Sequence, residues 1–401
     1  MSAASPSEQG SPAACACLPD YAGSSIANLM WSIARAFGLP SAACPPLRAP
    51  PLPALDERRH VLLIVVDGLG QRYLAQTAPD SLLGRNVTRT LTSVFPSTTA
   101  SAITTFLTGA TPAEHGLIGW HLYFEEIDAI GAVLPFRLRG SDEPLSRRGL
   151  RAGSLPAQPT LLDRLPAAIH LVSPRRIVDS EFNLAHSGRA QRHGYTSLTE
   201  FFAAIESCLR AADERRFVYA YWPELDSVAH EHGVSSRTTE QSLRRFDAGF
   251  ARLLASLHGC NATVLVTGDH GLIDAPEADL ILLEQHPRLA ATLARPLSGE
   301  RRVAYCHVKP GAHMAFEDYV GNALAERTTL HRAGEVIDRG WFGPGTRHPR
   351  LWSRAGDYLL VMKGRATIKD WLPGEKRYRQ VGVHGGLSAE EMLVPLVVMA
   401  P

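Results

Sequence analysis

Cysteine is scarce in this chain of 401 residues: six, at positions 15, 17, 44, 208, 260 and 306, with no CxxC pair among them. That excludes a small disulfide-stapled fold and a thiolate zinc site of the finger or ribbon type. Net charge is scarce too, because 41 Lys and Arg face 40 Asp and Glu for a formal +1. So even a balance gives no long-range pull toward a nucleic-acid polymer or an anionic membrane, and neither is expected as a partner. No uninterrupted apolar stretch reaches about 18 residues, so no membrane span is expected. The opening MSAASPSEQGSPAACACLPD lacks the positive start and apolar run of a secretory signal. A cytoplasmic, reducing setting is the resulting expectation.

What is present is ordinary globular composition, 45% hydrophobic and 20% charged, in a chain long enough for one large domain with an insertion. Residues 1–20 are rich in Ser, Ala and Pro, and a Pro-rich connector follows a helical pattern that places Ile26, Leu29, Met30, Ile33 and Phe37 on one face. From residue 61 the rhythm becomes strand, loop, helix. The runs VLLIVV (61–66), FVYAY (217–221) and ATVLV (262–266) are continuously apolar, as strands covered on both faces by helices are. TASAITTFL and TTEQSLRRFDAGFARLLASL read as helices between them, the latter with Leu243, Phe246, Phe250, Leu253 and Leu254 on one side. The pattern predicts an α/β fold with a mostly parallel central sheet flanked by helices on both faces. Its expected divisions are an N-terminal extension and helix (1–55), a core (56–275 and 376–401) and a small inserted α/β cap (276–375).

Each of the three apolar strands is followed closely by an acidic residue: Asp67, Asp226 and Asp269. Ligands of open parallel sheets bind beyond the carboxyl ends of the strands, so the three can converge. His270 follows Asp269 directly, His230 lies one helical turn after Asp226, and His384 stands among glycines before a last apolar strand. Three clustered aspartates repel one another and resist ionisation unless cations join them. Three carboxylates with three imidazoles make two three-ligand sets, and mixed Asp/His donors suit two Zn²⁺, with Mn²⁺ as the alternative. Separately, FPSTTASAITTFLTG places Thr98 and Thr99 at a helix N-terminus, where free N–H groups favour negative charge. Either could attack an electrophile once activated, while Ser97 is the expected N-cap.

Asp67, the Thr in PSTT, TGATPAEHGLIG, DSVAH, GDHG and VHGG occur in this order. Together they resemble the nucleotide pyrophosphatase/phosphodiesterase (type I phosphodiesterase) family of the alkaline phosphatase superfamily, from about residue 60 to the C-terminus. The resemblance implies an alkaline-phosphatase-like core and two zinc ions. One would be held by Asp226, His230 and His384, the other by Asp67, Asp269 and His270. It implies Thr99 as nucleophile, with Thr98 as the alternative, and a covalent threonine intermediate in the cleavage of phosphodiester or pyrophosphate bonds of small nucleotide-like substrates. His115 belongs to the signature and is read as shaping a turn.

Two positions depart from the family pattern. Trp120, followed by His121, stands where the family has an Asn that hydrogen-bonds a phosphate oxygen; either His121 takes over that contact or the pocket differs. Tyr221 matches one half of the family's aromatic clamp for a base, but Ala100 stands at the other half. Tyr221, Trp120 and His121 are therefore the expected substrate-binding residues. The alternative reading is a phosphomonoesterase or phosphonate hydrolase on the same core. It requires a cation facing the metals, for which Lys309, Arg347 and Arg354 are the candidates.

Overall fold

Strands form where the apolar runs predict them. In the computed structural model, which describes residues 16–40, 44–48, 52, 55, 58–156, 159–210 and 214–401, they become His60–Val66 (β1), Arg216–Trp222 (β5) and Ala262–Thr267 (β6). The first residues of the Ser/Ala/Pro-rich start, Cys15 among them, and parts of the Pro-rich connector lie outside the described residues. A seven-stranded sheet also contains Val87–Thr92 (β2), Ala168–Pro174 (β3), Gln191–Tyr195 (β4) and Leu393–Met399 (β7). Its order is β2-β7-β6-β1-β5-β3-β4. The five strands from β6 to β4 are mutually parallel, and β7 runs antiparallel between β6 and β2. The sheet is mixed, with its parallel part at the centre.

Register aligns the strand ends. Val66 is level with Trp222, and Val65 with Tyr221 and Thr267, so β6, β1 and β5 end side by side. The two-residue period of β1 sends Val61, Leu63 and Val65 into one layer and Leu62, Ile64 and Val66 into the other. The first layer holds the helices Ile26–Ala36 (α1) and Thr99–Thr108 (α2); the second holds Leu198–Arg210 (α3) and Arg237–Ser256 (α5). The helix Glu224–His232 (α4) lies between β5 and α5 in sequence. α1 begins with a reciprocal Ser25–Asn28 capping box, and Trp31 donates from Nε1 to the Gly109 carbonyl at 2.8 Å, fixing α1 to the end of α2.

A second seven-stranded sheet stands over the carboxyl ends. It takes 298–299, 303–306, 328–332 and 358–362 from the segment expected as a cap, and also 121–124, 129–132 and 137–138. Its join is Gly299 paired with His121. Among the described residues no helix is long and apolar enough to cross a membrane, and Cys44, Cys208, Cys260 and Cys306 are free thiols.

Candidate metal centre

The converging strand ends bring the acids together. Asp67 leaves β1, and Gly68 then turns at φ +76; a Cβ there would stand 2.6 Å from Leu272 and 3.1 Å from the Asp226 backbone, so only glycine fits. The Gly68 N–H donates to Asp269 Oδ1 at 3.0 Å, and the His270 N–H donates to the same oxygen at 2.9 Å. Tyr221, from the next strand, donates its hydroxyl to Asp67 Oδ2. Asp226 and His230 share one face of α4, with His230 Nε2 3.2 Å from Asp226 Oδ2. His384 leaves the short strand Gly382–Val383, which pairs with Ile273–Asp274 beyond β6.

All three imidazoles are oriented alike. Nδ1 of His230 faces the Gly382 carbonyl at 2.7 Å, Nδ1 of His270 the Gly271 carbonyl at 3.1 Å, and Nδ1 of His384 the Ser97 carbonyl at 3.1 Å. A carbonyl can only accept, so Nδ1 of His270 and of His384 carries the proton and their Nε2 atoms present lone pairs. His230 also meets the Gln380 side-chain amide, 2.7 Å from Nδ1 and 3.2 Å from Nε2, and its Nε2 faces Asp226. Each carboxylate leaves one buried oxygen without a hydrogen-bond partner among the described residues: Asp67 Oδ1, Asp226 Oδ1 and Asp269 Oδ2. Such orphans are uncommon in folded chains and point to something else that satisfies them. The donors fall into two groups, Asp226–His230–His384 and Asp67–Asp269–His270, with the ligand atoms of each within 4.8 Å of one another. The His270 and His384 rings, one from each group, stack with centroids 3.8 Å apart.

Electrostatics points the same way. Burial, then the charges of Asp269 and Asp226, push the Asp67 carboxyl well above its ordinary range, and burial also raises Asp269. Burial, then His270, hold His384 well below the ordinary imidazole range and so neutral. A bare cluster of this kind is frustrated, and divalent cations would relieve it. The donor set fits two such ions.

Thr99 opens α2, with Oγ1 3.0 Å from His270 Nε2, and the left-handed Gly109 closes the helix. The cap differs from expectation. Thr98, not Ser97, occupies the N-cap position, and its side chain makes no capping bond. Ser97 donates to the Gly386 carbonyl at 2.7 Å, and Thr98 donates to Glu300 Oε1 at 2.5 Å. Both hydroxyls are recruited across the site, so neither caps the first N–H groups of α2.

A cavity of about 750 Å³ opens over both groups and is lined by Thr99, Trp120, His121 and Tyr221 among others. Glu300 is the residue that sequence reasoning missed. Its Oε1 accepts from Thr98 and, at 2.6 Å, from the Trp120 N–H, and burial pushes its carboxyl up to about 7. The Trp120 backbone thus serves a carboxylate. Burial, then Arg139, bring His121 down to about 3, so its ring is neutral. His115 shapes its turn by accepting from the Leu117 N–H at 3.0 Å.

The three cations expected near the metals are elsewhere. Arg354 is buried against the Gly116 and Leu155 carbonyls, Arg347 pairs with Asp338, and Lys309 donates to the Ala291 carbonyl. The cavity instead carries Arg137, Arg139, Arg176, Arg301, Lys369 and Arg379. Of these, Arg139 and Lys369 are already paired with Asp370 and Glu375.

The chain matches the family model described as type I phosphodiesterase/nucleotide pyrophosphatase over residues 61–387. No curated protein matches it by sequence. Its fold is similar to that of murine ectonucleotide pyrophosphatase/phosphodiesterase 5, at TM-score 0.65 and 19% identity over 85% of this chain and 88% of that one. An inactive threonine-to-alanine variant of the same murine protein in complex with AMP is similar at TM-score 0.62 and 19% identity, over 84% and 87% of the two chains. Phosphonoacetate hydrolase from Sinorhizobium meliloti, in complex with phosphonoformate, is similar at TM-score 0.61 and 19% identity, over 85% and 90%. At these identities the likeness is one of fold.

Proposed function

Since the chain belongs to the type I phosphodiesterase/nucleotide pyrophosphatase family, we propose that it hydrolyses phosphodiester or pyrophosphate bonds of small nucleotide-like substrates, with Thr99 as nucleophile. One observation carries this reading: three carboxylate oxygens without a hydrogen-bond partner among the described residues converge with three imidazoles, and His270 Nε2 lies 3.0 Å from the Thr99 hydroxyl. Asp226, His230 and His384 would hold one divalent cation, and Asp67, Asp269 and His270 the other, with zinc first and manganese second by donor type. Bound there, the two cations would supply positive charge where negative charge develops, on the entering and leaving oxygens.

The chain's own residues do the rest. Thr99 Oγ1 gives its proton to solvent water and forms a bond to phosphorus as the bond from phosphorus to the leaving oxygen breaks, and the leaving oxygen takes up a proton from water. The N–H groups at the start of α2 favour charge on the transferred group. Water then attacks phosphorus from the side the leaving group vacated and releases Thr99. Tyr221 orients Asp67 through its hydroxyl while its ring lines the cavity. Trp120, His121 and the segment 276–375, our proposed specificity cap, form walls for the rest of the substrate, and the AMP bound by the murine neighbour supports a nucleotide-sized ligand.

Glu300 favours a diester over the alternative. A phosphomonoester or phosphonate carries an extra negative charge, and a buried carboxylate bonded to Thr98 opposes it. The deciding experiment compares an aryl phosphodiester with the matching monoester on chelator-stripped chain, with zinc or manganese added back. Diester turnover that needs metal and vanishes in Thr99→Ala supports the proposal; preference for the monoester supports the alternative. Metal binding without turnover of either would leave a scaffold and sink both.

A further inference from the structure

We propose that His170, His193 and Cys208 form a third metal site, for a thiophilic cation such as zinc, apart from the phosphoryl centre. One donor atom from each lies within 4.8 Å of the other two. A tetrahedral zinc with these ligands would set its donors roughly 3.3–3.8 Å apart, so closure needs a side-chain adjustment of about an ångström. Three elements supply the site: His170 from β3, His193 from the neighbouring edge strand β4, and Cys208 from α3, which packs across both strands. β3 is two strands from β1, and His170 is its third residue, so the cluster sits off to one side and well short of the carboxyl ends.

The hydrogen bonding of the cluster is incomplete as it stands. His170 Nδ1 and His193 Nε2 are 3.0 Å apart and share one proton. His170 Nε2 is buried and has no partner among the described residues. With the proton on Nδ1, that atom is an unused lone pair; with the proton on Nε2, it is an unused donor. Neither tautomer satisfies the ring. A cation coordinated by this trio would use the idle capacity. Both imidazoles are ready ligands, because burial, then Arg216, hold them neutral, His170 down to about 4. Burial pushes the Cys208 thiol up to about 11 against the opposing charge of Arg216, so the incoming cation takes the place of its proton, one released for each ion bound. His193 is half-buried, which leaves a path from solvent and a fourth position for water.

Cobalt(II) on the full-length, chelator-stripped chain tests this, because neither group at the phosphoryl centre contains sulfur. A near-ultraviolet sulfur-to-cobalt charge-transfer band therefore reports a thiolate outside that centre, and the Cys208→Ser and Cys17→Ser variants assign it. The expected result is a band whose amplitude at saturation corresponds to one thiolate-bound cobalt per chain. Cys208→Ser should remove the band and one equivalent of bound zinc, His193→Ala should weaken zinc retention at least tenfold, and Cys17→Ser should change neither. Should Cys208→Ser fail to fold, His193→Ala carries the same comparison. A wild-type chain with no thiolate band, or a band that persists in folded Cys208→Ser, overturns the proposal.

Discussion

Glu300→Gln is the perturbation that most sharply separates a diesterase from its neighbours in chemistry. The carboxylate accepts from the hydroxyl of Thr98, the residue before the proposed nucleophile. Taking a phosphoryl group attacked by Thr99 to lie about 5 Å from it sets the scale of the Coulomb term. At an effective dielectric of about 20, one extra negative charge at that separation costs about 3 kcal/mol. That is a factor of about 10² in the ratio of kcat/KM for an aryl diester to that for its monoester. Glu300→Gln should lower this ratio by about 10² at pH 8, mostly through faster monoester turnover. The pH dependence has a definite sign. Burial raises the Glu300 carboxyl to about 7, so the wild-type preference should be full above that pH and shrink as pH falls through it. The variant should show no such change. A ratio that is the same in both proteins at pH 8 would refute the electrostatic role of this residue.

Other consequences are equally direct. Thr99→Ala should reduce diester turnover by about 10³ or more, and Thr98→Val by about tenfold or less; the reverse order in a steady-state assay would transfer the nucleophile to Thr98. Tyr221→Phe removes the hydroxyl that orients Asp67, and zinc titration against a competing chelator should show affinity lower by about 10–100-fold. Arg302 and Glu391 form a buried two-bond ion pair at 3.1 and 3.0 Å, and Glu391 also accepts from the Gly386 N–H two residues after His384. Arg302→Met strands that carboxylate and should cost about 3–5 kcal/mol in urea unfolding; a loss within experimental error would mean water reaches Glu391.

The central parallel strands were legible because continuous branched apolar runs have few other uses, and each run is followed closely by an acid. With β6, β1 and β5 adjacent, Asp67, Asp226 and Asp269 had to meet. Glu300 was not legible. It lies 202 positions from Thr98 in a stretch, SGERRV, whose neighbours carry no chemical signature. The pairing of Gly299 with His121 brings it over the site. That pairing also hid the makeup of the second sheet, which joins strands from 121–138 to strands from 298–362. The N-cap was misread for a related reason. Preference statistics favour Ser97 and Thr98 alike, and distant acceptors, Gly386 and Glu300, decided which way each hydroxyl turned. Arg354 looked available as a cation because nothing local revealed the carbonyls of Gly116 and Leu155 that enclose it.

Anomalous scattering at the zinc edge, from crystals of the zinc-loaded chain, addresses the main claim head-on. We expect one peak bounded by Asp226, His230 and His384 and a second bounded by Asp67, Asp269 and His270, both beside the Thr99 hydroxyl. Density at neither position in protein that still hydrolyses the diester would contradict the account.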